Sequence, residues 1–426
     1  MLELLPSYLD RLTDHRLHAE YLTVFVLTWQ YHPHLDVDSL QTKAMQHLRA
    51  AQDKCGEAKF LCAAASYFQK HDNNIPKALG CFETAFDLAS EVHDAETQCL
   101  ALRDMSQSLC VLGRYPEARL KARKMRALAQ RHGLFYMEAH AIRADLFCRV
   151  IQGDLASCVA LSAEGRALLA LCGLEASTLD LALINSDAEV HLTKTEYAEA
   201  RALYAKTRSD HAPHPQAYDR LNLVVIDTEI GVDSTQVRQD LAAVRATFES
   251  LKIPVGSIVC EVVHAYLDIR DGFLDNARLS LERAFVQTRG DNQEISILCL
   301  TKLGDITCGL SDAATTLGWA CILMAFARKG NIIAVHQALR FFADVFLAQG
   351  EDETALSLLD VSLAGFTAAD IHRSRAECML RMGDLFHRRG NGEKAVEFWR
   401  MARPLFVRSL QAKEVAQVDE RLHAFS

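Results

Sequence analysis

The chain has 426 residues, 50% of them hydrophobic and 24% charged, a balance that supplies ample apolar material for a core and excludes wholesale disorder. A formal net charge of −9 excludes a general nucleic-acid binder, which needs a concentrated basic face. The longest unbroken apolar run, Trp319 to Ala327, falls far short of the ~20 residues that cross a bilayer, so no membrane partner is expected.

The opening residues, Met1 to Pro6, lack a basic n-region and carry Glu3 where a signal peptide wants Lys or Arg. No Asn-x-Ser/Thr acceptor occurs, and the thirteen cysteines include no Cys-x-x-Cys pair. Free thiols in a reducing, cytoplasmic compartment are the expectation, with the nucleus also open. Further along, prolines are few, alternating strand patterns are missing, and apolar residues recur at helical spacing, as in Leu102, Met105, Leu109 and Leu112. The expected elements are helix pairs over roughly 17–53, 57–91, 95–131, 134–171, 177–208, 217–251, 255–288, 292–328, 331–368 and 371–408. A last helix over 411–425 caps the array.

Turn residues support these boundaries. Gly113, Gly153, Gly272, Gly330, Gly350 and Gly390 each stand where a helix needs a left-handed C-terminal residue. Pro76 and Pro116 stand at the start of second helices, where no amide donor is lost. Two places break the regularity, Ser209 to Pro215 and the stretch around Gly231, and a change of path is expected there.

The elements repeat. Ala118, Ala277, Ala355 and Ala395 each follow a Gly-centred turn by five residues, and Ala78, Cys158, Ala200 and Ala242 are equivalent, at intervals mostly of 40 to 42. Twelve residues before these stand partner small residues such as Ser106, Ala188, Ala265, Ala343 and Gly383; the relation fails at Cys158, where Leu146 stands. Such a period means stacked helix pairs, which bury a continuous core by nearest-neighbour contact. Length alone would suggest three domains, but the repeat makes one elongated domain over 1–426 the expectation, with 1–54 degenerate, 55–410 the main repeats and 411–426 the cap.

The last repeat carries the signature most clearly, with Gly383 facing Ala395 and Ala402 while Phe386 and Trp399 fill toward the next pair. It resembles the tetratricopeptide repeat, as do the repeats marked by the second-helix alanines Ala78, Ala118, Ala200, Ala277 and Ala355. The resemblance implies an all-α, right-handed superhelix of about ten helix pairs. The longer period is similar to the arrays of fungal STAND-type NACHT proteins, on Gly165-Arg-Ala-Leu-Leu169, on Ala188-Glu-Val-His-Leu192 with Glu196-Tyr-Ala-Glu-Ala-Arg201, and on Lys394-Ala-Val-Glu-Phe-Trp399. That likeness implies the sensing array of a signalling protein. No Gly-x-x-x-x-Gly-Lys-Ser/Thr occurs, so no phosphate loop is present, and the start without a polar cap suggests the repeat portion of a longer chain. A fold-level likeness to subunit five of the anaphase-promoting complex implies a constitutive scaffold instead.

Chemistry-bearing motifs are sparse. His32 and His34 with Asp36 and Asp38, and His211 with His214, have metal-like residue types, but the prolines beside them read as solvent-exposed turns rather than a site of four converging ligands. No catalytic motif occurs, and neither a cofactor nor a metal is expected. Arg119, Arg123 and Arg126 share a helix face, either a solvated face balanced by acids or an anion site. Arg373, Arg381 and Arg388 lie on a first helix, the kind that lines the concave groove in such repeats, and residues 371–426 hold 11 Lys+Arg against 7 Asp+Glu. The expectation is therefore a non-enzymatic module whose groove takes a protein or peptide, with an acidic segment favoured by these arginines. A small ligand or a reaction held in a pocket inside the superhelix remains the other class, marked by a cavity with perturbed ionisable groups.

Overall fold

Short polar side chains start the helices of this protein. In the computed structural model, which describes residues 14–28, 36–70, 74–207, 213–288 and 292–425, Asp36, Asn74, Asp94, Asn292, Asp312, Asn331 and Asn391 each accept a hydrogen bond from the amide three residues on. That bond satisfies one of the donors a helix start leaves open. The described residues form twenty-one helices and no strand, with 85% helix.

Ten antiparallel pairs run in order. They are α1 (His15–Thr28) with α2 (Val37–Ala50), α3 (Lys54–Lys70) with α4 (Ile75–Glu91), α5 (Ala95–Val111) with α6 (Tyr115–His132), α7 (Phe135–Gln152) with α8 (Cys158–Leu171), and α9 (Thr178–Thr193) with α10 (Tyr197–Thr207). Then come α11 (Pro213–Glu229) with α12 (Ser234–Ser250), α13 (Pro254–Asp271) with α14 (Leu274–Thr288), α15 (Gln293–Gly309) with α16 (Ala313–Ala327), α17 (Ile332–Ala348) with α18 (Asp352–Ala368), and α19 (His372–Arg388) with α20 (Gly392–Arg408). A single helix, α21 (Ala412–His423), covers the last pair.

One boundary differs from the sequence expectation: α11 begins at Pro213, not near 217. Both Pro213 and Pro215 fall in its first turn, where the missing amide has no acceptor to lose and the fixed φ suits a helix. His214 is thus in a helix rather than a turn.

Packing divides the chain into two compact units. The first comprises Met1–Cys148, Ala163–Asp180 and Phe248–Pro254; the second comprises Arg149–Ser162, Leu181–Thr247 and Val255–Ser426. In the first, Phe60, Tyr67, Phe68, Phe82 and Met105 lie in one cluster. In the second, Leu281, Leu303 and Phe341 lie in one cluster, Tyr197 and Tyr204 in another, and Val418 of α21 packs with Trp399 and Phe406 to close the last repeat.

The repeat signature sits at the centre of each pair. Ala78, Ala118, Ala200, Ala277, Ala355 and Ala395 are wholly buried. At Gly383 an added Cβ would lie 2.5 Å from the Trp399 ring and 3.2 Å from the Ala395 carbonyl oxygen, so only glycine lets these backbones approach. The Trp399 indole also donates to Asp384 at 2.9 Å. Where Ser106 stands in the small position, its hydroxyl donates to the Ala118 carbonyl at 2.9 Å.

The expected glycine turns adopt positive φ, from 74° at Gly113 to 121° at Gly330. Other turns make the same reversal without glycine, at Gln52, His93, Ala176, Thr195, Lys252, Ser311, Asp370 and Leu410. A side chain there opposes the left-handed conformation. His93, exposed at φ 58°, is the cleanest instance, and His93→Gly is expected to raise stability by about 0.5–1 kcal/mol. Thermal melting of the variant beside Gly113→Ala, which should move the other way, checks the sign.

Candidate functional site

Partly buried ion pairs join first helices of the second unit to one another. Arg340 on α17 is 1% exposed and reaches Asp305 of α15 at 2.5 Å, Glu377 of α19 at 3.6 Å and Asp344 of its own helix at 3.9 Å. Its guanidinium also lies over the Phe341 ring, 4.7 Å from the centroid. Burial opposes the charge, but Glu377, Asp305 and Asp344 outweigh it and hold the guanidinium protonated. Three consecutive repeats are thereby joined through one buried cation.

A second convergence lies at Glu229, the last residue of α11. Lys302 of α15 approaches it at 3.0 Å, and Arg373 of α19 donates to it as well. Burial alone would raise this carboxyl; Lys302 and Arg373 outweigh that cost and hold it at about 2. Tyr197 and Tyr266 lie in the same field, where burial first and the Glu229 charge second push both phenols upward. The Lys302 ammonium sits 4.3 Å from the centre of the Tyr266 ring.

The third element is a clasp between the α9–α10 turn and the start of α19. His372 Nε2 lies 3.0 Å and His191 Nδ1 2.6 Å from separate oxygens of Glu196, which also accepts from Arg408. The His372 amide donates to the Lys194 carbonyl at 3.2 Å, and the Arg373 amide to the Thr195 hydroxyl at 3.0 Å. Both turns hold a non-glycine residue at positive φ, Thr195 at 63° and Asp370 at 56°. Burial works against Glu196, yet the hydrogen bonds from His372 and His191 and the charge of Arg408 hold its carboxyl at about 2.

Glu196, Asp370 and His372 place donor atoms within 4.8 Å of one another, a spacing that suits a cation. Their carboxylates are already engaged, Glu196 by Arg408 and Asp370 by Lys194 at 3.4 Å and Arg375 at 3.2 Å. A divalent ion would have to displace these charges. Of the histidine groups singled out in the sequence, His32, His34 and His211 lie outside the described residues. Asp36 caps α2, and Asp38 pairs with Lys77 at 2.6 Å.

The arginines expected to greet a partner are engaged within the chain. Arg373 pairs with Glu229 and Glu377, Arg381 with Asp344 at 2.7 Å, and Arg388 with Asp352. In the first unit, Arg119 pairs with Asp145 at 3.2 Å, and Arg126 with Glu138 and Glu164. Arg123, exposed, donates to the Arg119 carbonyl at 3.3 Å.

A cleft of about 330 Å³ opens in the second unit beside Asp305, Cys308, Asp312, Asp344 and Arg381. Burial pushes the Cys308 thiol up to about 12, which keeps it protonated at neutral pH and unsuited to nucleophilic attack.

Glu196, Glu229, Lys302, Arg340 and His372 escaped the sequence reading. Arg340 alone leaves a local signal, as the single formal charge between Ile332 and Phe342 in a mostly apolar stretch. A lone cation in such a run must find carboxylates on neighbouring elements.

These features define a class of fold: an all-α helical-repeat solenoid, similar to the tetratricopeptide kind, with ion pairs that join its first helices. No protein-family model matches the chain, and no curated protein does. Among solved structures, a Rap protein complexed with competence and sporulation factor aligns over 77% of this chain and 97% of its own, with a TM-score of 0.50 and 11% identity. The Rap conjugation gene regulator of plasmid pLS20 with the Phr* peptide aligns over 94% and 98%, at a TM-score of 0.48 and 11% identity. The Cut9–Hcn1 hetero-tetramer of the APC/C aligns over 98% and 89%, at a TM-score of 0.46 and 10% identity. The likeness is one of fold.

Proposed function

We propose that this chain is a non-enzymatic interaction module whose second unit receives a protein segment along the inner wall of its first helices. The observation that carries the reading is that side chains there reach solvent while standing in a dense protein surround. Glu294 on α15 is exposed, yet burial pushes its carboxyl above the usual range. A cleft of about 330 Å³ opens among first-helix side chains, Asp305 of α15, Asp344 of α17 and Arg381 of α19, and a concavity of that kind can take a segment. The neighbour of similar fold complexed with competence and sporulation factor supports a segment as the ligand class. The stretches that resemble STAND arrays support sensing as the purpose of such binding.

A scaffold reading is favoured by one feature. Helix α16 carries no charge from Ala313 to Ala327, and Leu317, Cys321 and Ile322 on its outer face are exposed. Surfaces of that kind suit permanent coverage by a neighbour. A photo-crosslinking residue placed at Leu298, exposed on α15, or at Ile322 separates the two readings in cells. Adducts from position 298 are expected; adducts from 322 alone would replace the inner wall by the outer face of α16 as the working surface.

A further inference from the structure

Helix α15 presents a face that complements a particular chemistry. Glu294, Leu298, Thr301 and Asp305 recur at i, i+4, i+7 and i+11, which places them on one side of the helix. Among the described residues Glu294 has no hydrogen-bond or ion-pair partner. Leu298 is 39% exposed. Asp305 gives one oxygen to Arg340 at 2.5 Å and lines the cleft shared with Asp312 and Asp344. Asp344 Oδ2, also at that cleft, is buried without a hydrogen bond.

The cations near this face are already paired, Arg340 and Arg381 with one oxygen each of Asp305 and Asp344. Lys302 holds Glu229 and stacks on Tyr266, Arg340 holds three carboxylates, and Arg381 holds Asp344. What the face still offers is acceptor capacity at both ends and an apolar contact between them. Glu294 and Asp305 stand about 16 Å apart along the helix at ~1.5 Å per residue, the span of about five extended residues.

Building on the inner-wall reading above, we infer that the segment bound along α15 is basic, with two cationic side chains about five residues apart and an apolar side chain between them. One cation meets Glu294, the other enters the cleft at Asp305 and Asp344, and the apolar side chain covers Leu298. Guanidinium groups suit both ends because their planar forks bond carboxylates in pairs. This reverses the acidic preference expected from Arg373, Arg381 and Arg388.

Fluorescence anisotropy of the full chain tests it with two labelled nonapeptides. One carries two arginines about five positions apart with a leucine between; the other replaces the arginines by glutamates. The basic probe should bind and the acidic one should not. Glu294→Gln should weaken the basic probe about fivefold, and Leu298→Asn should weaken it as well, with the helical spectrum unchanged because neither side chain holds the fold. Tighter binding of the acidic probe would overturn the cation preference while leaving the inner wall as the surface. Binding of the basic probe indifferent to both substitutions would overturn its placement on α15. Retention of neither probe sinks the inference, and crosslinking from position 298 then decides separately whether the wall binds a partner.

Discussion

Arg340→Ala is expected to destabilise the protein by about 3–5 kcal/mol, because it removes the buried guanidinium that joins Asp305, Asp344 and Glu377 and leaves Asp344 to Arg381 and Glu377 to Arg373 alone. Arg340 is 1% exposed, so these carboxylates rather than solvent hold its charge. Denaturant unfolding followed by circular dichroism reads the change as a shift in midpoint. Arg403→Ala is the control, since Arg403 pairs with Asp419 at 2.6 Å on an open surface where both side chains are solvated, and it should change little. If the two variants unfold alike, the Arg340 network contributes nothing to holding the three repeats together.

The clasp gives a second large effect, with a defined pH window. Glu196 lies at about 2 in the folded chain against an ordinary 4.5. A carboxyl depressed on folding stabilises fully above its unfolded value, and that stabilisation is lost as pH falls through the folded one. Glu196→Gln should therefore cost roughly 2–3 kcal/mol at neutral pH, allowing for solvent around Arg408. The gap between wild type and variant should close as pH falls from about 4.5 toward 2, because protonated Glu196 then resembles the amide. Urea midpoints at neutral pH and at steps below 4.5 check this, and a gap that widens on acidification would refute the clasp as the source. Glu229, also held at about 2, should add to the acid sensitivity of both proteins.

Much of the fold is written locally. The caps at Asp36, Asn74, Asp94, Asp312, Asn331 and Asn391 act on amides three residues away. The buried alanines recur about every 40 residues because each helix pair meets the next in the same way. Gly350 and Gly390 reverse the chain readily because a glycine carries no Cβ to oppose positive φ. Turns at His93, Thr195 and Asp370 were harder to read, since the packed helices on either side impose the same conformation on residues that resist it.

The sequence by itself determined the all-α class, the ten pairs and cap, and the small residues at each pair's centre, because helix periodicity, capping and turn chemistry act over a few residues. Only the tertiary structure decided what the charges do. Arg340 finds Asp305 and Glu377 one repeat to either side, and Glu196 finds His372 across 176 positions, distances over which no local pattern carries information. Arg373 and Arg381 read as free cations in the chain because their carboxylates, Glu229 and Asp344, arrive from other helices. Glu294 became a candidate contact only in the folded chain, where it stands exposed on α15 without a hydrogen-bond or ion-pair partner among the described residues.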